Sequence, residues 1–150
     1  MNEEGRTDGC ESPALLLAQD SWRCVEAKDK EAWLDLMAED VCVEDLIGVA
    51  PASPDGDGIR GKEAMRKFWE SNVDPNPIAI EPHESFAVGN ESAHRMTLMT
   101  EFSTGMKMIV NGIFSYRMND EGKLTNFCGY WSPEDSKVIA PPASTSADDE

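Results

Sequence analysis

The hydrophobic positions in the first part of the chain recur at helical spacing. Ser12 followed by Pro13 is a strong helix start, because serine can cap a helix and proline suits its first position. The apolar residues that follow lie three or four apart on one helix face: Leu15, Ala18, Trp22 and Val25. This pattern predicts a first helix from Pro13 to about Ala27.

Two shorter helices and one strand are predicted next. Asp29 can cap a second helix, whose apolar stripe predicts an end near Glu39–Asp40. The stretch VCVED at 41–45 is typical of a strand, and the Pro, Gly and Asp residues of 48–61 predict a loop. Beyond it, a third helix has these apolar residues on one face: Ala64, Met65, Phe68 and Trp69. Asn76–Pro77 then marks a break.

The second half of the chain alternates between apolar and polar residues, which is typical of strands. Short turns containing Gly or Asn separate the last three runs, so they predict an antiparallel meander. Pro82, in the run before them, indicates an edge strand or a bulge. The fold class is therefore α+β, with three N-terminal helices packed on a curved, mostly antiparallel sheet. Such a sheet can close into a cone with an apolar pocket.

Composition and charge narrow the possible partners. The 150 residues suit one domain, and a net charge of −16 argues against nucleic acid or an anionic membrane as a partner. No run approaches the roughly eighteen apolar residues of a membrane helix, and no signal peptide is expected. Polar, acidic ends predict disordered tails at 1–12 and 137–150 around a domain at 13–136. The four scattered cysteines predict free thiols in the cytoplasm, and they show no metal-ligand spacing.

One carboxylate stands out at the end of the predicted strand. Strand side chains alternate, so Asp45 shares a face with Val41 and Val43. Either that face opens onto a pocket, or the strand ends early and the carboxylate lies in solvent at a turn. In an apolar pocket the carboxylate would lose hydration, and its raised pKa would make it a better proton carrier near neutral pH.

The meander strands place mainly large apolar residues on the inward face. Alternation predicts that Phe114 and Trp131 point inward and can line a cavity. Met96, Leu98, Phe102 and Phe127 share the inward faces and are expected in the core. His94 is a lone histidine on this face. It is either a hydrogen-bonded core residue or a group that meets a ligand.

Several segments resemble the ketosteroid isomerases of the SnoaL-like, nuclear transport factor 2-like superfamily. They are AKDKEAWLDLMAEDVCVEDLIG, VGNESAHRMTLMTEF and FSYRMNDEGKLTNFCGYW, within a similarity that spans about residues 13–135. The resemblance implies a homodimer without cofactor or metal that binds a small apolar ligand such as a steroid. It also implies that Asp45 is the general base, moving a proton within a 3-oxo steroid, and that a tyrosine and a protonated aspartic acid hold the enolate oxygen.

The chain departs from this family where the oxygen-binding donors are expected. Ser21 stands at the position of the family tyrosine and Phe114 at that of the protonated aspartic acid. Trp22 or His94 could supply a replacement donor, and Trp22, Phe114 and Trp131 would line the pocket. The leading prediction is a steroid delta-isomerase-like enzyme with Asp45 as its base.

Two alternatives to that prediction stay open. The first is a non-catalytic protein that binds hydrophobic, steroid-like ligands on the same fold, which the missing donors favour. The second is a hydrolase or cyclase of the same superfamily. It is disfavoured because Arg95 points outward by alternation and no second aspartate points inward.

Overall fold

Three helices form the N-terminal layer of the computed structural model, which describes residues 12–48 and 55–141. Helix α1 spans Pro13–Ala27 with proline in its first turn, as predicted. It ends at Lys28, whose left-handed backbone lets its N–H bond the carbonyls of the last turn. Helix α2 spans Lys30–Asp35, and the Asp29 carboxylate accepts a hydrogen bond from the backbone N–H of Ala32, as its predicted capping role requires.

Strand β1 begins earlier than the sequence pattern predicts. It spans Met37–Glu44, so helix α2 ends four to five residues before the expected Glu39–Asp40. The reason is long-range pairing: Met37 lies beside Leu124, and the Leu124 N–H donates to the Leu36 carbonyl at 2.8 Å. Backbone hydrogen bonds to a distant strand therefore override the helical spacing of the apolar residues.

The predicted loop at 48–61 is only partly a loop. Its residues 49–54 lie outside the described residues, but Ile59–Arg60 forms strand β2, which pairs with β1. Helix α3 spans Lys62–Phe68 and continues as a π-helical turn at Trp69–Val73, shortly before the expected break at Asn76–Pro77. Trp69 is fully buried, with its ring centroid 4.8 Å from that of Trp33, so α3 is fixed against α2.

Five further strands complete the sheet. They are β3 at Ile78–Val88, β4 at Glu91–Glu101, β5 at Lys107–Met118, β6 at Leu124–Tyr130 and β7 at Ser136–Ile139. The strand order is β2-β1-β6-β5-β4-β3. Among the described strands, β1 and β6 are the parallel pair and the others run antiparallel. Three helices on a mostly antiparallel curved sheet confirm the predicted fold class.

The ends of the domain differ from the sequence-based boundaries. We expected residues 137–150 to be a tail, but β7 pairs with the first part of β5 and carries the ordered domain past residue 136. Residues 1–11 and 142–150 lie outside the described residues. Strand β3 is both an edge strand and irregular, since its register shifts between Pro82 and Glu84, as the proline indicated. No helix in the described parts of the chain is long and apolar enough to cross a bilayer.

Candidate functional site

A cavity of about 250 Å³ lies between the helices and the inner face of the sheet. Its lining is mostly apolar and draws on all three helices and on β1, β3, β4, β5 and β6. The residues predicted as core, Met96, Leu98, Phe102 and Phe127, all line it. The polar groups that reach it are few: Ser21, Asp45, Asn72, Asn76, Thr100 and Tyr116. The cavity is therefore suited to an apolar ligand with a small number of polar atoms.

Asp45 lines the cavity directly after strand β1. The pairing of Glu44 with Cys128 places Asp45 beside Gly129. The Ile47 N–H donates to the Gly129 carbonyl at 3.1 Å, so the segment after β1 stays bound to β6. The indole N–H of Trp131 donates to Asp45 Oδ1 at 2.8 Å. The carboxylate is thus held by one donor and faces an otherwise apolar wall, as one of the two sequence interpretations required.

Two glycines leave room for this carboxylate–indole pair. A Cβ on Gly129 would lie 2.5 Å from Asp45 Oδ1 and 3.1 Å from Trp131 Nε1. On the neighbouring strand, a Cβ on Gly112 would lie 3.0 Å from the Trp131 Cβ. Real Cβ atoms do not approach another atom to 2.5 Å, so the absence of a side chain at Gly129 is what admits the carboxylate.

Burial decides the proton affinity of Asp45. Loss of hydration raises the pKa of its carboxyl group above the ordinary value, and the hydrogen bond from Trp131 acts in the opposite direction. The balance is a raised pKa. Such a carboxylate takes up a proton more readily than one in water, which is the property that a general base in an apolar site requires.

The strand register separates His94 from Asp45. His94 pairs with Phe114, which pairs with Gly129, and Asp45 lies beyond Gly129 in the same row. Neighbouring strands are about 4.8 Å apart, so the His94 and Asp45 backbones are about 14 Å apart across the sheet. Phe114 fills the space between them: it is completely buried and stacks on Phe127 at a centroid distance of 6.0 Å.

His94 is fully engaged inside the protein. Its Nε2 lies 2.7 Å from the Ser92 hydroxyl and its Nδ1 lies 2.8 Å from the Ser85 hydroxyl. Burial lowers the pKa of His94 to about 4, so the ring is neutral at physiological pH. A neutral imidazole has one donor and one acceptor nitrogen, and both are occupied here. This arrangement matches the hydrogen-bonded core residue that the sequence left as one of its two possibilities.

Trp22 and Tyr116 form the second polar feature of the cavity. The Trp22 indole N–H donates to the Tyr116 hydroxyl at 2.8 Å, and both side chains line the cavity. Strand alternation puts Tyr116 on the same face as Phe114, but Tyr116 was not among the residues predicted for the site. The signal that could have found it was a hydroxyl-bearing side chain on an otherwise apolar face. Ser21 also lines the cavity and interacts with the same hydroxyl.

The residues predicted for the site therefore fall into two groups. Asp45 and Trp22 line the cavity, and Trp131 bonds the Asp45 carboxylate. Phe114 and His94 lie behind the wall, Phe114 against Phe127 and His94 against the rings of Trp22 and Tyr116. Arg95 pairs with Glu84 on the exposed face, away from the cavity. Within residues 12–48 and 55–141, no three His, Cys, Asp or Glu side chains are grouped so as to hold a metal ion.

Comparison with known proteins shows the family to which this chain belongs. Residues 18–127 match the SnoaL-like domain, so the chain belongs to the SnoaL-like family of the nuclear transport factor 2-like superfamily. Among similar solved structures is the Δ5-3-ketosteroid isomerase from Mycobacterium sp., which is 41% identical with a TM-score of 0.83. That match covers 85% of this chain and 99% of the isomerase.

Two other similar solved structures are a steroid complex and a designed binder. The RV0760c protein from Mycobacterium tuberculosis, in complex with estradiol-17β-hemisuccinate, is 44% identical with a TM-score of 0.81, over 84% of this chain and 98% of that protein. A computationally designed binder of 17-OHP is 39% identical with a TM-score of 0.83, over 85% of this chain and 99% of the binder. The solved structures similar to this chain thus include an isomerase, a steroid complex and a designed binder.

Proposed function

We propose that this protein is a steroid delta-isomerase-like enzyme that moves a double bond in a 3-oxo steroid or a similar apolar ketone. The observation that carries the proposal is the position of Asp45. Its carboxyl group lies in an apolar cavity, has a raised pKa and accepts one hydrogen bond, from Trp131. The similarity to the Mycobacterium sp. ketosteroid isomerase supports the substrate class.

The proposed reaction is a proton transfer within one molecule. The Asp45 carboxylate removes a proton from the carbon between the ketone and an isolated double bond. The released electron pair forms a new carbon–carbon double bond and shifts negative charge onto the ketone oxygen. Asp45 then returns the proton to the far end of the old double bond, which leaves a conjugated enone. The chemistry is redox-neutral and needs only a base and a donor for the oxygen.

The Trp131 indole has a defined part in this scheme. Its N–H stabilises the ionised form of Asp45, so the carboxylate can exist in a cavity that otherwise disfavours charge. Because the indole bonds only Oδ1 in the described structure, the second carboxylate oxygen is left to reach the substrate carbon. Trp131 is accordingly a positioning residue.

The test is an isomerisation assay with a 3-oxo-Δ5 steroid, following the ultraviolet absorbance of the conjugated enone. Asp45→Asn keeps the size and the bond to Trp131 but removes the base, and a loss of about 10²–10⁴ in kcat is expected. Glu44→Gln is the matched control, since the neighbouring carboxylate faces Cys128. It is expected to stay within about twofold. Turnover that survives unchanged in Asp45→Asn would refute Asp45 as the base.

A non-catalytic binding protein is the second candidate. The observation that favours it is the absence of the family donors, since Ser21 and Phe114 stand at their expected positions. The names of the RV0760c complex and of the designed binder support steroid-like ligands for this fold. Binding of a 3-oxo steroid with no measurable isomerisation, and with equal affinity in Asp45→Asn, would decide for this candidate.

We also propose that the protein forms a homodimer through the outer face of the sheet. Ile113 and Tyr130 are paired neighbours there, and they are 41% and 54% exposed. A second copy would cover this apolar pair, so Ile113→Lys should shift the mass measured by light scattering to that of a monomer.

Free thiols at Cys24 and Cys42 support the cytoplasm as the compartment.

A further inference from the structure

Tyr116 lines the apolar cavity, and its ring packs among three other rings. The residue is 4% exposed. Its ring centroid lies 4.7 Å from that of Phe127, 5.4 Å from that of His94 and 6.3 Å from that of Trp22. These three rings fix its orientation, so the hydroxyl is held at one place in the cavity wall.

The hydrogen bond from Trp22 determines what the Tyr116 hydroxyl can do. An indole N–H can only donate, so the Tyr116 oxygen is the acceptor in the 2.8 Å bond. The phenolic proton is not used in this bond. The Ser21 hydroxyl also interacts with this oxygen and can act as its second donor. With two donors directed at the oxygen, the phenolic proton is free to point into the cavity.

The environment keeps this phenol in its donating form. Burial raises the pKa of Tyr116, the charge of Asp45 raises it further, and Trp22 and Ser21 act in the opposite direction. Tyr116 is therefore a neutral phenol at physiological pH and can donate a hydrogen bond. The two donors also polarise the O–H group, which strengthens its bond to an acceptor.

The other possible donors near this end of the cavity are already engaged. The Trp22 N–H is used on Tyr116, and both ring nitrogens of His94 are used on serine hydroxyls. Phe114 has no polar atom and is fully buried. Tyr116 on β5 and Asp45 directly after β1 both line the cavity, and β6 lies between these two strands. A single compact ligand can therefore meet the phenol at one end and the carboxylate at the other.

We propose that Tyr116 donates a hydrogen bond to the carbonyl oxygen of the ligand and stabilises the negative charge that forms there. This inference rests on the proposed isomerase function and names its missing oxygen-binding residue. It assigns the donor role to the third meander strand, whereas the resemblance placed a tyrosine on the first helix. Trp22 and Ser21 support the phenol from behind. The substrate class that fits is a ketone whose carbonyl enters the cavity first.

The kinetic test compares two single variants. Tyr116→Phe removes only the hydroxyl and is expected to lower kcat about 10²–10³-fold with KM little changed. Trp22→Phe breaks the same hydrogen bond but keeps the phenol, and we expect a loss of less than about tenfold. Equal losses in the two variants would mean that the bond is only structural, and this would overturn the proposal. So would a Tyr116→Phe enzyme with wild-type kcat.

A binding test works even if the protein has no isomerase activity. The wild type should bind a 3-oxo-4-ene steroid about tenfold or more tightly than the matched 3-deoxo steroid, because only the ketone accepts a hydrogen bond. The ultraviolet band of the bound enone should shift to longer wavelength. Tyr116→Phe should abolish both the preference and the shift, while the affinity for the 3-deoxo steroid stays the same. A preference that persists in Tyr116→Phe overturns the proposal independently of turnover.

Folding of the variants is controlled by removing both partners together. Tyr116→Phe leaves the buried Trp22 N–H without its acceptor, which should lower the urea concentration at the midpoint of unfolding. The double variant Trp22→Phe with Tyr116→Phe removes donor and acceptor, so it should recover part of that decrease. The double variant should still lack the ketone preference, and a preference restored along with stability would overturn the proposal.

Discussion

Gly129 offers the sharpest test of where the Asp45 carboxylate lies. In Gly129→Ala the new methyl group would start 2.5 Å from Asp45 Oδ1, 3.1 Å from Trp131 Nε1 and 3.2 Å from the Phe114 ring. The last two contacts need shifts of only a few tenths of an ångström. The first is far too short, so either the carboxylate or strand β6 must move. The variant therefore adds one carbon atom at the point where the proposed base is held.

The size of the effect follows from these distances. The carboxylate must retreat by about 0.9 Å to reach ordinary contact at 3.4 Å. Such a shift is enough to break the 2.8 Å bond from Trp131, because N–H···O bonds weaken beyond about 3.2 Å. Overpacking costs about 1–3 kcal/mol and loss of a charged hydrogen bond about 1.5–3 kcal/mol. We expect Gly129→Ala to lower the free energy of unfolding by about 2.5–6 kcal/mol.

A double-mutant cycle assigns this cost to the carboxylate. Asp45→Ala removes both oxygens, so the methyl group of Gly129→Ala then enters vacated space. Urea unfolding of the wild type, the two single variants and the double variant gives the four free energies. The cost of Gly129→Ala should fall below about 2 kcal/mol in the Asp45→Ala background, because only the milder contacts with Trp131 and Phe114 remain.

One result would refute the reasoning outright. If Gly129→Ala costs the same in both backgrounds, within about 0.5 kcal/mol, the two residues are not coupled. The Asp45 oxygens would then lie elsewhere, and the proposed base would not be in the cavity wall.

Three further predictions concern protons. The kcat/KM for isomerisation should rise with pH as Asp45 ionises, and Trp131→Phe should move this rise to higher pH and cut the rate on the acid side about tenfold, which a pH–rate profile measures. Asp45→Asn should be more stable than the wild type at neutral pH but not below the ordinary carboxyl pKa. The native pKa is raised, so the folded state binds more protons and loses stability as pH rises; thermal unfolding at both pH values checks this. The pKa of His94 falls from 6.5 to about 4 on burial, so its unfolded form binds more protons between these values. Between these pH values His94 should lower the free energy of unfolding by about 1.4 kcal/mol for each unit that the pH falls. His94→Gln should remove this pH dependence, which urea unfolding at several pH values measures.

Local rules were enough to predict the helical start and the inward faces of the strands. Pro13 and the helical spacing of the apolar residues predicted helix α1, although the Ser12 side chain makes no capping hydrogen bond. Strict alternation in the meander predicted which residues face inward. Alternation also placed Asp45 on the same side as Val43, and both line the cavity. These predictions worked because each depends on residues that are close together in sequence and on a fixed backbone period.

The features that could not be predicted depend on pairs that are distant in sequence. Strand β1 starts at Met37 because Leu124 pairs with it, and no local pattern contains that information. Trp22 and Tyr116 are 94 residues apart, and their bond depends on how α1 packs on β5. The serine partners of His94 likewise become visible only once the β3–β4 register is known.

The position of the two polar residues within the sheet has a consequence for how this protein could change during evolution. Asp45 directly follows β1 and Tyr116 lies on β5, and both strands are interior to the strand order, whereas β3 is an edge strand with a register shift near Pro82. Ile78 and Ile80 on β3 line the far wall of the cavity. Substitutions in that edge can resize the compartment without touching the acid or the phenol. Selectivity for one molecule over another can thus diversify while the reactive groups stay in place.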